Sequence, residues 1–427
     1  VPARGIIALT DKKEAVMSNM ERAIKSNLQW FLQSGVMDPA DGTWGVAERV
    51  LLAKGNEALG KTLSDFDSYT PYEGYYILEH RRPDCNFEVA LLFLLAARAF
   101  GNENYRNVGR NLVRYLYRRS GCRTNTASVM LPGIWGWATP PPHLQQSYWL
   151  DDNSWDVTLS LLISELDPLL DAELNLRQKG LESAYALCKY FDRMLKEEDP
   201  PTKLPLNGAD QAPHFSALAL MACAKAWHHS REDAFLKPMR RYLELVAADG
   251  IASNVWLVRG GGKLTPSEHT YLILGLSCCA GTPLEERAVA LACRSADFIL
   301  SIMDENGNIP SKHFEAPQGD HLVDLIYTQN WATLGLVNLV SVTGKTEYAR
   351  VLKKSMDMLV AIQDSSPQKH LCGCWRGMYD LDAGTWGGGD EYEGGAGSIY
   401  TGWTNAPISL ALLMQANGWT LLHGGQR

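Results

Sequence analysis

The sequence predicts an all-α protein built as an (α/α)6 toroid, six helical hairpins arranged as an inner and an outer ring. Three observations predict it. Apolar residues recur at helical spacing in twelve segments, while strand-like alternation is rare and short. The segments alternate between helices with one charged stripe and helices that are apolar nearly all round. The apolar ones begin at intervals of about 66, 62, 55, 52 and 79 residues, each long enough for two helices and two connections.

The segments lie at about 12–34, 86–100, 104–119, 152–166, 171–197, 214–229, 233–248, 267–280, 284–303, 321–342, 345–363 and 400–416. Runs such as Phe87-Glu-Val-Ala-Leu-Leu-Phe-Leu-Leu, Phe215-Ser-Ala-Leu-Ala-Leu-Met and Tyr271-Leu-Ile-Leu-Gly-Leu are expected in the inner ring. Met239-Arg-Arg-Tyr-Leu-Glu-Leu and Val351-Leu-Lys-Lys-Ser-Met keep one face for water and belong to the outer ring. Connections leaving the inner helices are short, as at Gly101-Asn-Glu-Asn and Gly344-Lys, and those leading into them are long. The long loops therefore gather on one face of a single domain spanning 1–427.

Composition bounds the function. A hydrophobic fraction of 46% in 427 residues supports a large core without disulfides or metals. The net charge of −8, without clustered Lys and Arg, removes nucleic acid from the expected partners. No run of about 18 apolar residues marks a membrane span. The nine cysteines form no framework and are expected as buried thiols. The first residue is Val rather than Met, and an exported or periplasmic location is favoured over a cytoplasmic one.

The long-loop face collects the chemistry. The inner helices open at Asp84 and Asn86, Asp151 and Asp152, His214, Glu268 and His269, His321 and Asp324, then Tyr400, Trp403 and Asn405. A ring of helix N-termini offers unpaired amides and positive dipole ends, which suit an anionic or polyhydroxylated ligand. In Tyr148-Trp-Leu-Asp151-Asp152-Asn-Ser-Trp155-Asp156, two acids flanked by indoles open a helix. Consecutive helical residues point about 100° apart, so one acid can face the cavity while the other caps or orients. Apolar walls would raise the facing carboxyl's pKa and keep it protonated as a general acid. His214 and His269 are proton carriers by type, or else caps and core imidazoles.

A second rich stretch runs from Trp375-Arg376 through Asp390-Glu391-Tyr392-Glu393 to Tyr400 and Trp403. If it is extended, Glu391 and Glu393 point the same way, and Arg376 offers a planar fork for a carboxylate. A solvated loop or a calcium site is the alternative for these acids. Gly260-Gly-Gly lacks a following GK[ST] and is expected as a turn, and Cys372-Gly-Cys374 lacks further ligands for zinc. No GxSxG elbow occurs, and no metal or cofactor is expected.

Six helical hairpins, the WLDDNSW opening at 149–155 and the aromatic loops together resemble the (α/α)6 carbohydrate-active enzymes. The nearest likeness is to glycoside hydrolase families 88 and 105, the unsaturated glucuronyl and rhamnogalacturonyl hydrolases, and to family 154 β-glucuronidases, which Gly387–Asn405, GGGDEYEGGAGSIYTGWTN, resembles. In families 88 and 105 an Asp in a Trp-Leu-Asp context serves as general acid and base, so the resemblance favours Asp151 in Trp149-Leu150-Asp151, while packing alone allows Asp152. Their HDxGF-type motif is replaced here by Asp84-Cys-Asn86-Phe87-Glu88, which argues against enol-ether hydration, and the likeness of Gly387–Asn405 to family 154 makes intact glucuronides an option.

The expected function is a glycoside hydrolase acting on oligosaccharides or polysaccharides that contain uronic acid. One inner-helix Asp would protonate the leaving oxygen and Glu391 or Glu393 would activate water. Arg376, His214 and His269 would hold the uronate or its hydroxyls, and Trp135, Trp137 and Trp403 would stack on sugar faces. The alternatives are a polysaccharide lyase or cofactor-free epimerase using Tyr400 or a His as base, and a sugar-binding protein without turnover.

Overall fold

The computed structural model describes residues 19–124, 132–195, 206, 213–246, 264–310, 319, 321–389 and 392–422. Its inner helices are α3 (Pro83–Phe100), α5 (Leu150–Leu166), α8 (Pro213–Ser230), α10 (Pro266–Ser277), α12 (Gln329–Thr343) and α14 (Ala406–Asn417). Each packs on the next, and α14 returns to α3, closing the ring. The outer helices are α1 (19–33), α4 (Glu103–Arg118), α7 (Leu176–Met194), α9 (Asp233–Leu245), α11 (Glu285–Ile302) and α13 (Thr346–Ile362). The architecture is the (α/α)6 toroid.

Local chemistry sets the helix ends. Pro83 at the first turn starts α3, and Gly101, in the left-handed region with φ 62°, stops it. The Asn102 carboxamide then caps α4 by accepting from the amides of Asn104 and Tyr105. At α10 a capping box joins Thr265 and Glu268, so Glu268 serves the helix end. α3 is buried from Pro83 to Ala97, whereas α4 buries only a stripe that includes Val108, Leu112, Val113 and Leu116. Each fully buried Leu or Phe of the inner ring contributes about 1.5–3 kcal/mol of transfer free energy.

Gly275 is where the inner ring is tightest. A Cβ there would lie 2.2 Å from the Ala217 carbonyl oxygen, so α8 and α10 meet backbone to side-chain-free backbone.

Three segments depart from the expected helices. The one expected from 321 begins instead as β4 (Leu322–Asp324), and α12 starts only at Gln329. Asp324 accepts from the amides of Ile326 and Tyr327 and from the Thr328 hydroxyl, a local set of bonds that competes with helix formation. The segment expected from 400 begins as β7 (Ser398–Tyr400), and the helix waits until Ala406. The 171–197 segment is divided into α6 (Pro168–Leu174) and α7 by Asn175 at φ 56°. A further short helix, α2, spans Leu59–Asp65.

Small antiparallel sheets lie in the long connections. One has the order β2 (Tyr69–Tyr72), β3 (Tyr75–Leu78), β1 (Arg49–Leu52), β7. The other joins β4 to β5 (Met378–Asp380) and β6 (Thr385–Trp386). The β1–β7 register sets Arg49 opposite Tyr400. All nine cysteines are free thiols, seven of them buried. No described helix is long and apolar enough to cross a membrane.

Candidate active site

The inner-helix N-termini surround a pocket with three acids in its wall, Asp84 from α3 and Asp151 and Asp152 from α5. The rest of the lining is apolar or aromatic: Leu218, Trp155, Tyr271, Trp331 and Trp403. Trp331 meets Trp155 edge to face at 5.6 Å and Tyr271 at 5.3 Å, so the aromatic wall is continuous.

Arg82, at the N-cap of α3, organises the acids. Its Nε and Nη2 donate to Asp84 at 3.1 and 2.7 Å, Nη2 also reaches Asp152 Oδ1 at 2.9 Å, and Nη1 reaches Glu48 at 3.2 Å. The guanidinium carbon lies 4.8 Å from the Trp403 ring and 5.6 Å from that of Trp137. One buried cation thus serves three carboxyls between two indoles.

Asp151 and Asp152 sit in the first turn of α5, whose N-cap position is Trp149 and carries no side-chain cap, and the Asp151 carboxyl accepts from the backbone amides of Asp151 and Asp152. They are 5% and 7% exposed, and Asp151 Oδ1 and Asp152 Oδ2 have no hydrogen-bond partner. Burial pushes Asp151 up to about 7 against the pull of Arg82. It also raises Asp152 well above the usual carboxylate range, against the pull of Arg82 and helped by the negative charge of Asp84 and Asp151. Asp156, one turn further along, is buried and raised in the same way.

Beneath the pocket Glu88 accepts from the Trp155 indole and, at 2.8 Å, from the backbone N–H of Trp403. Burial first, and then Asp84, push it up to about 8. Trp403 is held with φ 47°, a strained conformation for a tryptophan, and its indole N–H reaches Asp84 at 2.7 Å. The preceding residue must be glycine, since a Cβ on Gly402 would lie 2.4 Å from Glu88 Oε2.

The other residues singled out from sequence are placed as follows. Glu393 is bound to Arg49 at 2.7 Å and to the hydroxyls of Tyr400 and Tyr327, and it does not line the pocket. Burial pushes its carboxyl up, but Arg49 and the hydroxyls outweigh that and hold it below the usual range. Glu391 lies outside the described residues, as does the side chain of His214. His269 stacks on Phe298 at 4.2 Å with burial lowering it to about 4, which fits a core imidazole rather than a sugar ligand.

Arg376 is committed to Asp364 at 2.8 and 2.7 Å and is not at the pocket. Trp135, 2% exposed, packs edge to face on Phe87 and Tyr117, so it has no face left for a sugar. Asn405 is buried between Asn27, Trp375 and Tyr400. Trp137 is half-buried beside Arg82, and Trp403 is in the pocket wall. Of the expected residues that the structure describes, Asp151, Asp152 and Trp403 are in the pocket, with Trp137 next to it.

Arg82, Glu88, Arg49 and Trp331 escaped the sequence reading. A signal existed for two of them: Arg82 directly precedes a helix-starting proline, and Glu88 is a lone charge in a run of buried apolar residues.

No family model matches the sequence, and no curated protein does. Solved structures do. The chain is similar to unsaturated glucuronyl hydrolase from Bacillus sp. GL1 at 16% identity and a TM-score of 0.60, over 94% of this chain and 98% of that one. It is similar to a D-mannose isomerase at 12% identity and 0.58, over 93% and 97%. Cellobiose 2-epimerase from Spirochaeta thermophila matches at 13% identity and 0.56, over 79% and 87%. The resemblance to toroid enzymes of the glucuronyl hydrolase kind holds at the level of fold.

Proposed function

We propose that the chain is a carbohydrate-processing enzyme that cleaves a glycosidic bond by carboxyl acid–base chemistry at Asp151 and Asp152. The observation that carries this reading is the adjacent pair itself, buried in an aromatic pocket with one unpartnered oxygen on each carboxyl. With Asp151 at about 7 and Asp152 also raised, the pair retains protons near neutral pH. When one member has lost its proton, the other is an acid for the leaving oxygen and the first is a base for water. Arg82 and Asp84 fix the geometry, and Trp403 and Trp331 supply apolar faces for a sugar ring. The toroid neighbours act on sugars by their names, which agrees with this reading.

Elimination or epimerisation through Tyr400 is less well supported. Its phenol is buried, bonded to Glu393 and Arg49 and raised well above its ordinary pKa, chiefly by burial, so it holds its proton firmly. Among the described residues no histidine lines the pocket. Of the residues expected from sequence to hold a uronate, Arg376 is occupied by Asp364 and His269 is a core imidazole, while the side chain of His214 lies outside the described residues.

The test is incubation with aryl β-glycosides of neutral, amino and uronic sugars and with unsaturated uronyl oligosaccharides, following reducing ends and ultraviolet absorbance. Hydrolysis abolished by Asp151→Asn or Asp152→Asn is expected. A rise in absorbance would replace the reading with a lyase, and ligand binding without turnover would leave a sugar-binding protein.

A further inference from the structure

Buried acids outnumber buried guanidiniums around the pocket. Six buried carboxyls, Glu48, Asp84, Glu88, Asp151, Asp152 and Asp156, surround the buried guanidiniums of Arg82 and Arg49. Both guanidiniums are already engaged: Arg82 with Glu48, Asp84 and Asp152, and Arg49 with Glu393, Tyr400 and, at 3.4 Å, Glu48. No described cation therefore faces a ligand in this pocket. A uronate placed here would find no free cation and would meet three carboxyls and the negative faces of aromatic rings.

What the pocket leaves unpaired points the other way. Asp151 Oδ1 and Asp152 Oδ2 have no partner and become acceptors on ionisation, each on a side chain more than nine-tenths buried. The indole N–H of Trp331, also more than nine-tenths buried, is a free donor in the same wall. An ammonium has three N–H donors and no acceptor, and it is attracted to indole faces. A neighbouring hydroxyl oxygen would satisfy the Trp331 N–H. Among the described residues no group of three or more His, Cys, Asp or Glu is disposed to hold a metal ion.

We propose that the pocket binds a sugar carrying a protonated amine, of the 2-amino-2-deoxyhexose class, with the ammonium against Asp151 and Asp152 and the ring between the indoles. This rests on the pocket being the sugar site. It carries a proton signature. The pair faces Arg82, Asp84 and Glu48, with Asp156 behind it and Tyr271 opposite, and in this setting both acids retain protons near neutral pH. An arriving ammonium favours the carboxylate form and releases a proton to solvent. An arriving uronate would instead draw one in.

The experiment is calorimetric titration of the full chain at about pH 6.5, where a sugar amine is still charged. The ligands are the methyl β-glycosides of glucosamine, N-acetylglucosamine, glucose and glucuronate, each in buffers of different ionisation enthalpy. The glucosaminide is expected to bind with a Kd about tenfold or more below those of the glucoside and the N-acetylated sugar, with net proton release. Equal binding of the glucosaminide and its N-acetyl form, a glucuronide as tight as the glucoside, or no binding of any of the four overturns the proposal. Turnover of the aryl glycosides is read separately. Hydrolysis with a uronide preference sinks the amine proposal and leaves the hydrolase, whereas amine-selective binding without turnover does the reverse.

Discussion

The indole N–H of Trp403 donates to Asp84 Oδ2 at 2.7 Å, while the backbone N–H of the same residue donates to Glu88 at 2.8 Å. Both acids lie on α3, one helical turn apart, so a single residue from the last third of the chain is fastened twice to the first inner helix. That double attachment holds the left-handed backbone of Trp403 in place and sets its ring in the pocket wall.

Trp403→Phe keeps an aromatic body but removes the bond to Asp84. Hydrogen bonds to charged groups contribute about 1.5–3 kcal/mol, so kcat/KM is expected to fall by about 10- to 100-fold. Steady-state kinetics on whichever glycoside is turned over measures this. An unchanged kcat/KM would remove Trp403 from the working site.

Arg82→Lys is expected to be almost as harmful as Arg82→Ala. A lysine has no planar fork to reach Glu48, Asp84 and Asp152 at once, and carboxyls left buried without a partner cost about 3–5 kcal/mol. Urea unfolding of the two variants beside the wild type tests it, and a near-native midpoint for the lysine variant would show that the fork is not needed.

Stability is expected to fall as pH rises from about 6.5 to 8.5. Asp151 at about 7 and Glu88 at about 8 are raised above their unfolded values, so their protons are held more tightly in the folded chain. Their contribution is full below the unfolded carboxylate range and is lost as pH climbs through these folded values. His269 works in the opposite direction, but its effect is complete by its ordinary value near 6.5. The loss over this window should reach about 2 kcal/mol or more in urea titrations, and Glu88→Gln should flatten it. A flat or rising wild-type profile would contradict the assignment.

Two glycines make a matched pair. Gly275→Ala would drive a methyl against the Ala217 carbonyl and is expected to cost about 1–3 kcal/mol by overpacking. Gly60, in α2 with open space around its missing Cβ, should accept alanine with a gain of about 0.5–1 kcal/mol. Melting temperatures of the two variants moving in the same direction would undo the argument from packing.

The helices were legible because burial on all sides, or on one stripe, is written in residue order, as in Phe87–Leu95 and in Val108 to Leu116. The first turn of α5 was legible for the same reason, and with it Asp151, Asp152 and the indoles beside them. The long loops were read less well. Glu393 was expected to act on water, but its nearest cation, Arg49, arrives from a strand 344 positions away, a pairing no local pattern encodes. Trp135 and Arg376 look exposed in sequence because glycine surrounds them, yet tertiary packing buries the first and Asp364 claims the second.

The closure of α14 onto α3 has a consequence for biosynthesis. Asp84 and Trp403 are 319 residues apart, and their bond belongs to the last seam of the ring. During synthesis the acids on α3 and α5 emerge long before their indole partner, so a nascent chain carries an unfinished pocket wall until α14 has been made. The ring thus closes and completes the pocket wall in the same late folding event.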